Sequence, residues 1–329
     1  MMYKSSILEN VRWSINMDLV HDLNVQASNQ LIQRGYACSS IDNALKELYN
    51  VEKMLLPAHP RKVEKSKEFT CPVGFEMALN EFTRKVEMGD ILTPYMTDKV
   101  LNSAHKDLML YDWNIHHFHL TRRTGLDGFM SRSPYQLFAY VTDRVMYMIQ
   151  AYPHPGPTSK TNPYGYSKQE MISIIYRNWP ELIEKNKLPG QAHLTVPMND
   201  EDFAIARQER MTSFVDIGDG NVFGLIGGGY ASDGSSIEAV RRAYYWYNTL
   251  KLCEMNIVNT IRQIHEAIET LLGRKAEVDM QIFLLFVEKE NILTYDKANK
   301  IIIEIGMNEA YMKCVLPQHL FWPMSNSLS

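Results

Sequence analysis

Residues 112–154 open on DWNIHHFHLTRR and close on RVMYMIQAYPH, and the period of this stretch decides the fold. Ile115 to Leu120 alternates as a strand does. Ile115, His117 and His119 share one face, and His116, Phe118 and Leu120 share the other. Two further apolar and aromatic runs, Tyr135–Val141 and Val145–Tyr152, are separated only by Thr142, Asp143 and Arg144, the length of a hairpin turn. The connection TRRTGLDGFMSRSP (121–134) carries three arginines and two glycines. These features predict three antiparallel strands with a basic loop.

On the N-terminal side, residues 1–110 read as a helical region. Val25, Leu31 and Ile32 recur at helical spacing before Gly35, and Ile41, Ala44, Leu45, Leu48 and Val51 form an apolar stripe ended by Pro57 and Pro60. HPRKVEKSKEF (59–69) reads as a connector, and Pro72 introduces a helix closed by Gly89. A last helix is expected from Thr97 to Leu110, with His105 inward.

On the C-terminal side, HPGPTSKTNPYGY (154–166) is a loop by its prolines and glycines. Ser167 and Glu170 have capping-box spacing before a helix whose Met171, Ile172, Ile174, Ile175 and Trp179 would cover the sheet. Pro180 to Asp202 reads as irregular chain. TSFVDIGDGNVFGLIGG (212–228) reads as a hairpin turning at Asp219-Gly220. MQIFLLFVEKENILTYDKANKIIIEIG (280–306) reads as another, turning near Glu290-Asn291 or at Lys297–Lys300. Between them a helix is expected from 236 to 272, capped by Gly273, with Tyr244, Leu250, Met255, Val258, Ile261 and Ile264 on its apolar stripe. At about 1.5 Å per residue it would exceed roughly 50 Å, so it is expected to meet another domain, a second copy or a protein partner.

The fold class expected is α+β: a helical N-terminal region, a small antiparallel sheet with a covering helix, and C-terminal hairpins plus one long helix. The elements run in blocks and do not alternate as βαβ units. The expected domains are 1–110, 111–200 and 201–329.

Composition narrows the function classes. The chain has 329 residues, 45% hydrophobic and 22% charged, as a globular protein does. No apolar run approaches the roughly 20 residues of a membrane span, and the first residues lack a signal core, so a cytoplasmic location without a membrane partner is expected. Four scattered cysteines argue against a disulfide framework or a zinc site. Net charge is −4. Yet Trp113 to Gln169 holds six basic residues against two acidic ones, a local +4, while Asn199 onward holds 12 basic against 18 acidic, or −6. A basic island suits a polyanion such as RNA. It equally suits a surface packed against the acidic remainder.

The HHFH cluster has three readings. His117 and His119 could share a metal ion with His154 or Asp112 as a third ligand. They could instead form an acid–base site with arginines that stabilise charge developing at phosphorus. Or they are packing residues of a sheet. GGGYASDGSS (227–236) could cradle a phosphate at a helix start, or be a turn before a capped helix. The chain has no GxxxxGK[ST] and no GxGxxG, and no cofactor is expected. Tyr244, Tyr245, Trp246 and Tyr247 could stack bases or anchor the helix.

The run SPYQLFAYVTDRVMYMIQAYPH (133–154), followed by the tyrosines of NPYGY (162–166), resembles the core of the RelE/ParE-type toxin family, within residues 110–166. The resemblance implies a curved antiparallel sheet and metal-independent cleavage of RNA, free or ribosome-associated. By that pattern His154 matches the strand-end histidine, Tyr164 or Tyr166 the following tyrosine, and Arg132 or Arg144 offers phosphate contacts. Gln136 stands where a strand arginine is common, and Pro155 replaces a basic residue. The expected function is a metal-independent endoribonuclease of toxin or defence-effector type. His154, His119 and His117 would be catalytic, and Arg122, Arg123, Arg132, Arg144, Tyr164 and Tyr166 would hold RNA. A non-catalytic nucleic-acid- or protein-binding component and a metal-dependent hydrolase using the histidine cluster stand as alternatives.

Overall fold

The computed structural model describes residues 4–8, 11–126, 128–156, 159–218, 220–287, 291–306 and 312–317. It is an α+β protein, as expected. In chain order the strands are β1 Lys4–Leu8, β2 Val11–Asn16, β3 Lys62–Lys65, β4 Ile115–His119, β5 Tyr135–Val141, β6 Val145–Pro153, β7 Val215–Asp216, β8 Val222–Phe223, β9 Asp279–Val287, β10 Asn291–Asp296, β11 Ile301–Gly306 and β12 Met312–Val315. The helices are α1 Leu19–Gln33, α2 Ala44–Met54, α3 Glu76–Met88, α4 Leu108–Trp113, α5 Glu170–Asn178, α6 Asp200–Gln208, α7 Ile237–Asn259 and α8 Ile261–Leu272. Among the described residues no helix is long and apolar enough to cross a membrane.

The chain divides into two compact units in place of three successive domains. One combines residues 1–30, 40–45 and 243–329, and the other combines 31–39 with 46–242. Backbone pairing explains the departure. Residues 11–16 are a strand, not part of a helical region, and β2 pairs in parallel with β9, Ser14 opposite Asp279.

In the first unit a six-stranded sheet runs β1-β2-β9-β10-β11-β12. Its apolar face, with Trp13, Ile282, Ile292 and Ile303, packs on Leu250, Cys253 and Ile257 of α7 and on Ile261, Ile264 and Ile268 of α8. The turn at Lys297–Lys300 is present, whereas residues 288–290 lie outside the described ones. The helix expected over 236–272 is interrupted at Thr260 (φ −109°, ψ 15°), whose hydroxyl donates to the Asn256 carbonyl at 2.7 Å. A threonine that bonds back to i−4 loosens a helix. Gly273 closes α8 in the left-handed region. The buried stripe is also rotated from the expected one: Tyr244 and Met255 are exposed and Cys253 and Ile257 are inward.

In the second unit a four-stranded sheet runs β3-β6-β5-β4. The three expected antiparallel strands are there, and the connector 59–69 supplies the fourth, β3, parallel to β6. A bulge between Phe138 and Ala139 skips Ile149 and sends it to the same face as Phe138. Helices cover both faces. Leu79, Phe82 and Val86 of α3 meet Phe118, Leu137 and Met148, while Met171, Ile172 and Ile175 of α5 meet Ile115, Phe138 and Ile149. Burying each such side chain stabilises by about 1.5–3 kcal/mol.

The helix expected over Thr97–Leu110 is absent. A short 3-10 turn, Asp98–Leu101, is followed by irregular chain and then α4. Side chains that bond locally outcompete the helix here: Asn102 Oδ1 accepts from Ala104 N at 2.9 Å, and Asp107 Oδ1 caps α4 by accepting from Leu110 N at 3.0 Å. Pro180–Asp202 is not wholly irregular either. Asn199 and Asp202 form a capping box that starts α6. β7 and β8 form the expected hairpin, though Asp219 of its turn lies outside the described residues.

Candidate active site

β4 is an edge strand, so its side chains lie beside one partner strand only. Register sets His119 opposite Gln136 and His117 opposite Phe138. Gln136 in turn faces Tyr152 across β5 and β6. His154 follows the end of β6, where its N–H donates to the Pro134 carbonyl at 2.7 Å. Alternation and register therefore gather His119, Gln136 and His154 at one end of the sheet.

The hydrogen bonds fix the chemistry of His154. Its Nδ1 lies 2.8 Å from the Pro155 carbonyl, which can only accept, so Nδ1 carries the proton. Nε2 is then the acceptor of the neutral ring, 3.4 Å from the Gln136 amide nitrogen. Gln136 Oε1 accepts from the Tyr166 hydroxyl at 3.0 Å. The His119 ring stacks on His154 with centroids 5.6 Å apart. His117 lies against Tyr166, centroids 5.1 Å apart, with Nδ1 3.8 Å from Asp107 Oδ2.

Burial first, then the neighbouring His117, His154 and Arg132, push the His119 ring down to about 4. Burial also lowers His117, against the pull of Asp107. Both rings are thus neutral near pH 7. Burial pushes the Tyr166 phenol up to about 12. Two exposed cations act on the cluster, Arg132 on His119 and Lys99 on His117.

The remaining candidates are dispersed. Arg144 sits in the turn at the opposite end of the nine-residue β6, on the order of 30 Å from His154. Arg122 is exposed and paired with Glu81 at 3.1 Å. Arg123 is exposed in the loop after β4. The Tyr164 hydroxyl donates to Glu201 at 2.7 Å, whereas Tyr166 faces the histidines. Asp112, considered as a metal ligand, is buried in an ion pair with Arg207, 3.1 Å apart. Among the described residues no group of three or more His, Cys, Asp or Glu side chains could hold a metal ion. His105 is pushed down by burial but is only half-buried, in irregular chain and not on the inward face of a helix. The loop 227–236 packs as a turn: Gly227 N donates to the Asp112 carbonyl and Gly229 N to the Tyr111 carbonyl. A Cβ at Gly227 would lie 2.5 Å from the Tyr111 oxygen.

Sequence reasoning missed three residues here. Gln136 links Tyr166 to His154, and its signal was a polar residue on the inward face of YQLFAYV. Asp107 faces His117. Arg207 holds Tyr166 in place: Nη1 donates to the Tyr166 carbonyl and to Ser167 Oγ, Nη2 pairs with Asp112, and the guanidinium lies 4.0 Å over the Trp113 ring. Its signal was an arginine on the apolar stripe of α6 beside Phe203 and Ala206. Comparison of the chain with protein-family models, with curated proteins and with solved structures finds no match in any of the three.

Proposed function

We propose that the chain is a metal-independent endoribonuclease of toxin or defence-effector type, acting at the His119–His154 pair. The observation that carries this reading is the stacking of two imidazoles from separate strand segments, 5.6 Å apart, beside the exposed Arg132. Neutral His119 would take the proton of a ribose 2′-hydroxyl as that oxygen attacks phosphorus. The bond from phosphorus to the 5′ oxygen would break, and His154 in its protonated form would return a proton to that oxygen. Arg132 would offset the charge that develops at phosphorus. His117 and Tyr166 line the site, and RNA contact along the loop after β4 would fall to the exposed Arg123 and to Arg122 once released from Glu81. The resemblance to RelE/ParE-type toxins at His154 and Tyr166 supports the same reading.

The test is incubation of purified protein with cellular RNA and with ribosomes, each with and without EDTA. Cleavage that persists in EDTA and is lost in both His119→Ala and His154→Ala supports the proposal. Undiminished cleavage in the double variant, or no cleavage of either substrate, would sink it.

A second reading, a binding component that assembles through its long helix, is supported by one observation. Tyr244, Tyr245, Leu252 and Met255 of α7 are 61%, 58%, 60% and 51% exposed on one helical face.

A further inference from the structure

The face of β4 opposite His117 and His119 borders a second feature of the same unit. His116 lines a polar cleft of about 200 Å³ together with Lys53, Arg61, Asn114, Asp143 and Glu238. We propose that this cleft binds a small oxyanion, a phosphate or carboxylate group, between Arg61, Lys53 and His116.

The argument starts from Arg61, which is only 4% exposed. A buried guanidinium ordinarily has a carboxylate partner, because an uncompensated buried charge is costly. Arg61 has none within 4.0 Å among the described residues; Asp143 attracts it from the turn without forming an ion pair. Nε donates to the Thr142 carbonyl at 3.0 Å, and Nη1 to the carbonyls of Pro57 and His59 at 3.0 and 3.4 Å. Nη2 meets no acceptor among the described residues. Neutral carbonyls orient the cation without cancelling its charge, so a donor pair is held ready for an anion.

His116 supplies the second half. It is 7% exposed and stacked on Phe118, and neither ring nitrogen has a hydrogen-bond partner among the described residues. The charges of Lys53 and Arg61 both act on it. Lys53 Nζ uses two of its three N–H groups, on Asn114 Oδ1 at 3.1 Å and Glu238 Oε2 at 2.9 Å. The other charged pair lining the cleft is internally neutral: Arg242 bonds Glu52 at 2.9 Å and lies 3.8 Å over the Tyr49 ring. What remains inside is the Arg61 guanidinium, which the exposed Asp143 attracts from the rim without an ion pair, and the His116 ring. A phosphate or carboxylate accepts from both and fits the volume, which is below that of drug-sized ligand sites.

The experiment is titration of the full chain with inorganic phosphate and, separately, with acetate, against chloride at matched ionic strength. Calorimetry reads the affinity, and NMR reads the His116 imidazole. Saturable binding that moves the His116 signal, and is weakened at least tenfold in Arg61→Gln, is expected. Arg61 is buried and its variant could unfold, so Lys53→Gln, on a partly exposed side chain, serves as the second variant and is expected to weaken binding at least threefold. The His119→Ala, His154→Ala double variant should bind as the unaltered chain does. Preference for phosphate or for acetate identifies the group bound. No binding of either anion above the chloride control overturns the proposal, as does binding that leaves His116 unmoved or is lost in the His119→Ala, His154→Ala variant.

Discussion

The hydroxyl of Tyr166 donates to the Oε1 of Gln136 at 3.0 Å, and through that amide a tyrosine in the loop before α5 sets the ring of His154 at the end of β6. A buried side chain that donates to one ring and accepts from another residue is hard to replace. Gln136 is 1% exposed, and Gln136→Leu leaves the Tyr166 hydroxyl without its acceptor. The expected cost is about 1–3 kcal/mol of stability, measured by denaturant unfolding.

The buried histidines should make the protein acid-sensitive. The folded chain holds His119 down at about 4 and His116 at about 3, and lowers His117, all from an ordinary 6.5. Above pH 6.5 these rings are neutral folded and unfolded, and the full stability is present. As pH falls from 6.5 toward 4, the unfolded chain takes up protons that the folded one refuses. Each ring that stays neutral in the folded chain then removes about 1.4 kcal/mol of stability for every pH unit of the descent. Unfolding midpoints measured between pH 7 and 4.5 should fall, and His119→Gln should flatten the decline.

The Asp112–Arg207 pair is sealed in the core, and Asp112 Oδ1 and Arg207 Nε have no hydrogen-bond partner among the described residues. Burial raises the Asp112 carboxyl and Arg207 holds it down. Arg207→Met alone strands that carboxylate and should cost about 3–5 kcal/mol. The joint Asp112→Leu, Arg207→Met variant should cost less than the single one. A double-mutant cycle by chemical denaturation reads the difference.

On α7 exposure separates folding from association. Leu250 is fully buried and Leu252 is 60% exposed. Leu250→Glu should abolish folding of its unit, seen as loss of a cooperative transition. Leu252→Glu with Met255→Glu should change stability by no more than about 0.5 kcal/mol. If the chain associates through this face, sedimentation will show the mass fall in that variant alone.

Much of this architecture was legible because side-chain period reports which face is buried. The alternation of Ile115–Leu120 and the hairpin at Thr142–Arg144 read correctly, as did the caps at Gly89 and Gly273. What failed was long-range pairing. KVEK at 62–65 carries no apolar alternation and becomes a strand only because β6 offers an open edge. The helix expected over Thr97–Leu110 failed because Asn102 and Asp107 bond the backbone themselves. At the candidate site, sequence named His117, His119, His154 and Tyr166, which do converge. Arg144 does not join them, and the hairpin read from the sequence already set it in the turn, at the opposite end of the strand from His154.

The parallel pairing of β2 with β9 has a consequence for synthesis. Ser14 and Asp279 are 265 residues apart in the chain, the difference of their numbers, yet they are strand neighbours. Every contact inside the second unit is available once residue 242 has left the ribosome. The N-terminal strand must then wait, at roughly 5–20 residues per second, for about 13–50 s after its own emergence before its partner exists. During that interval the edge of β2 is an unpaired template. Nascent chains stalled where residue 242 but not residue 279 has left the ribosome should therefore hold a folded second unit and N-terminal strands that chaperones and proteases can reach.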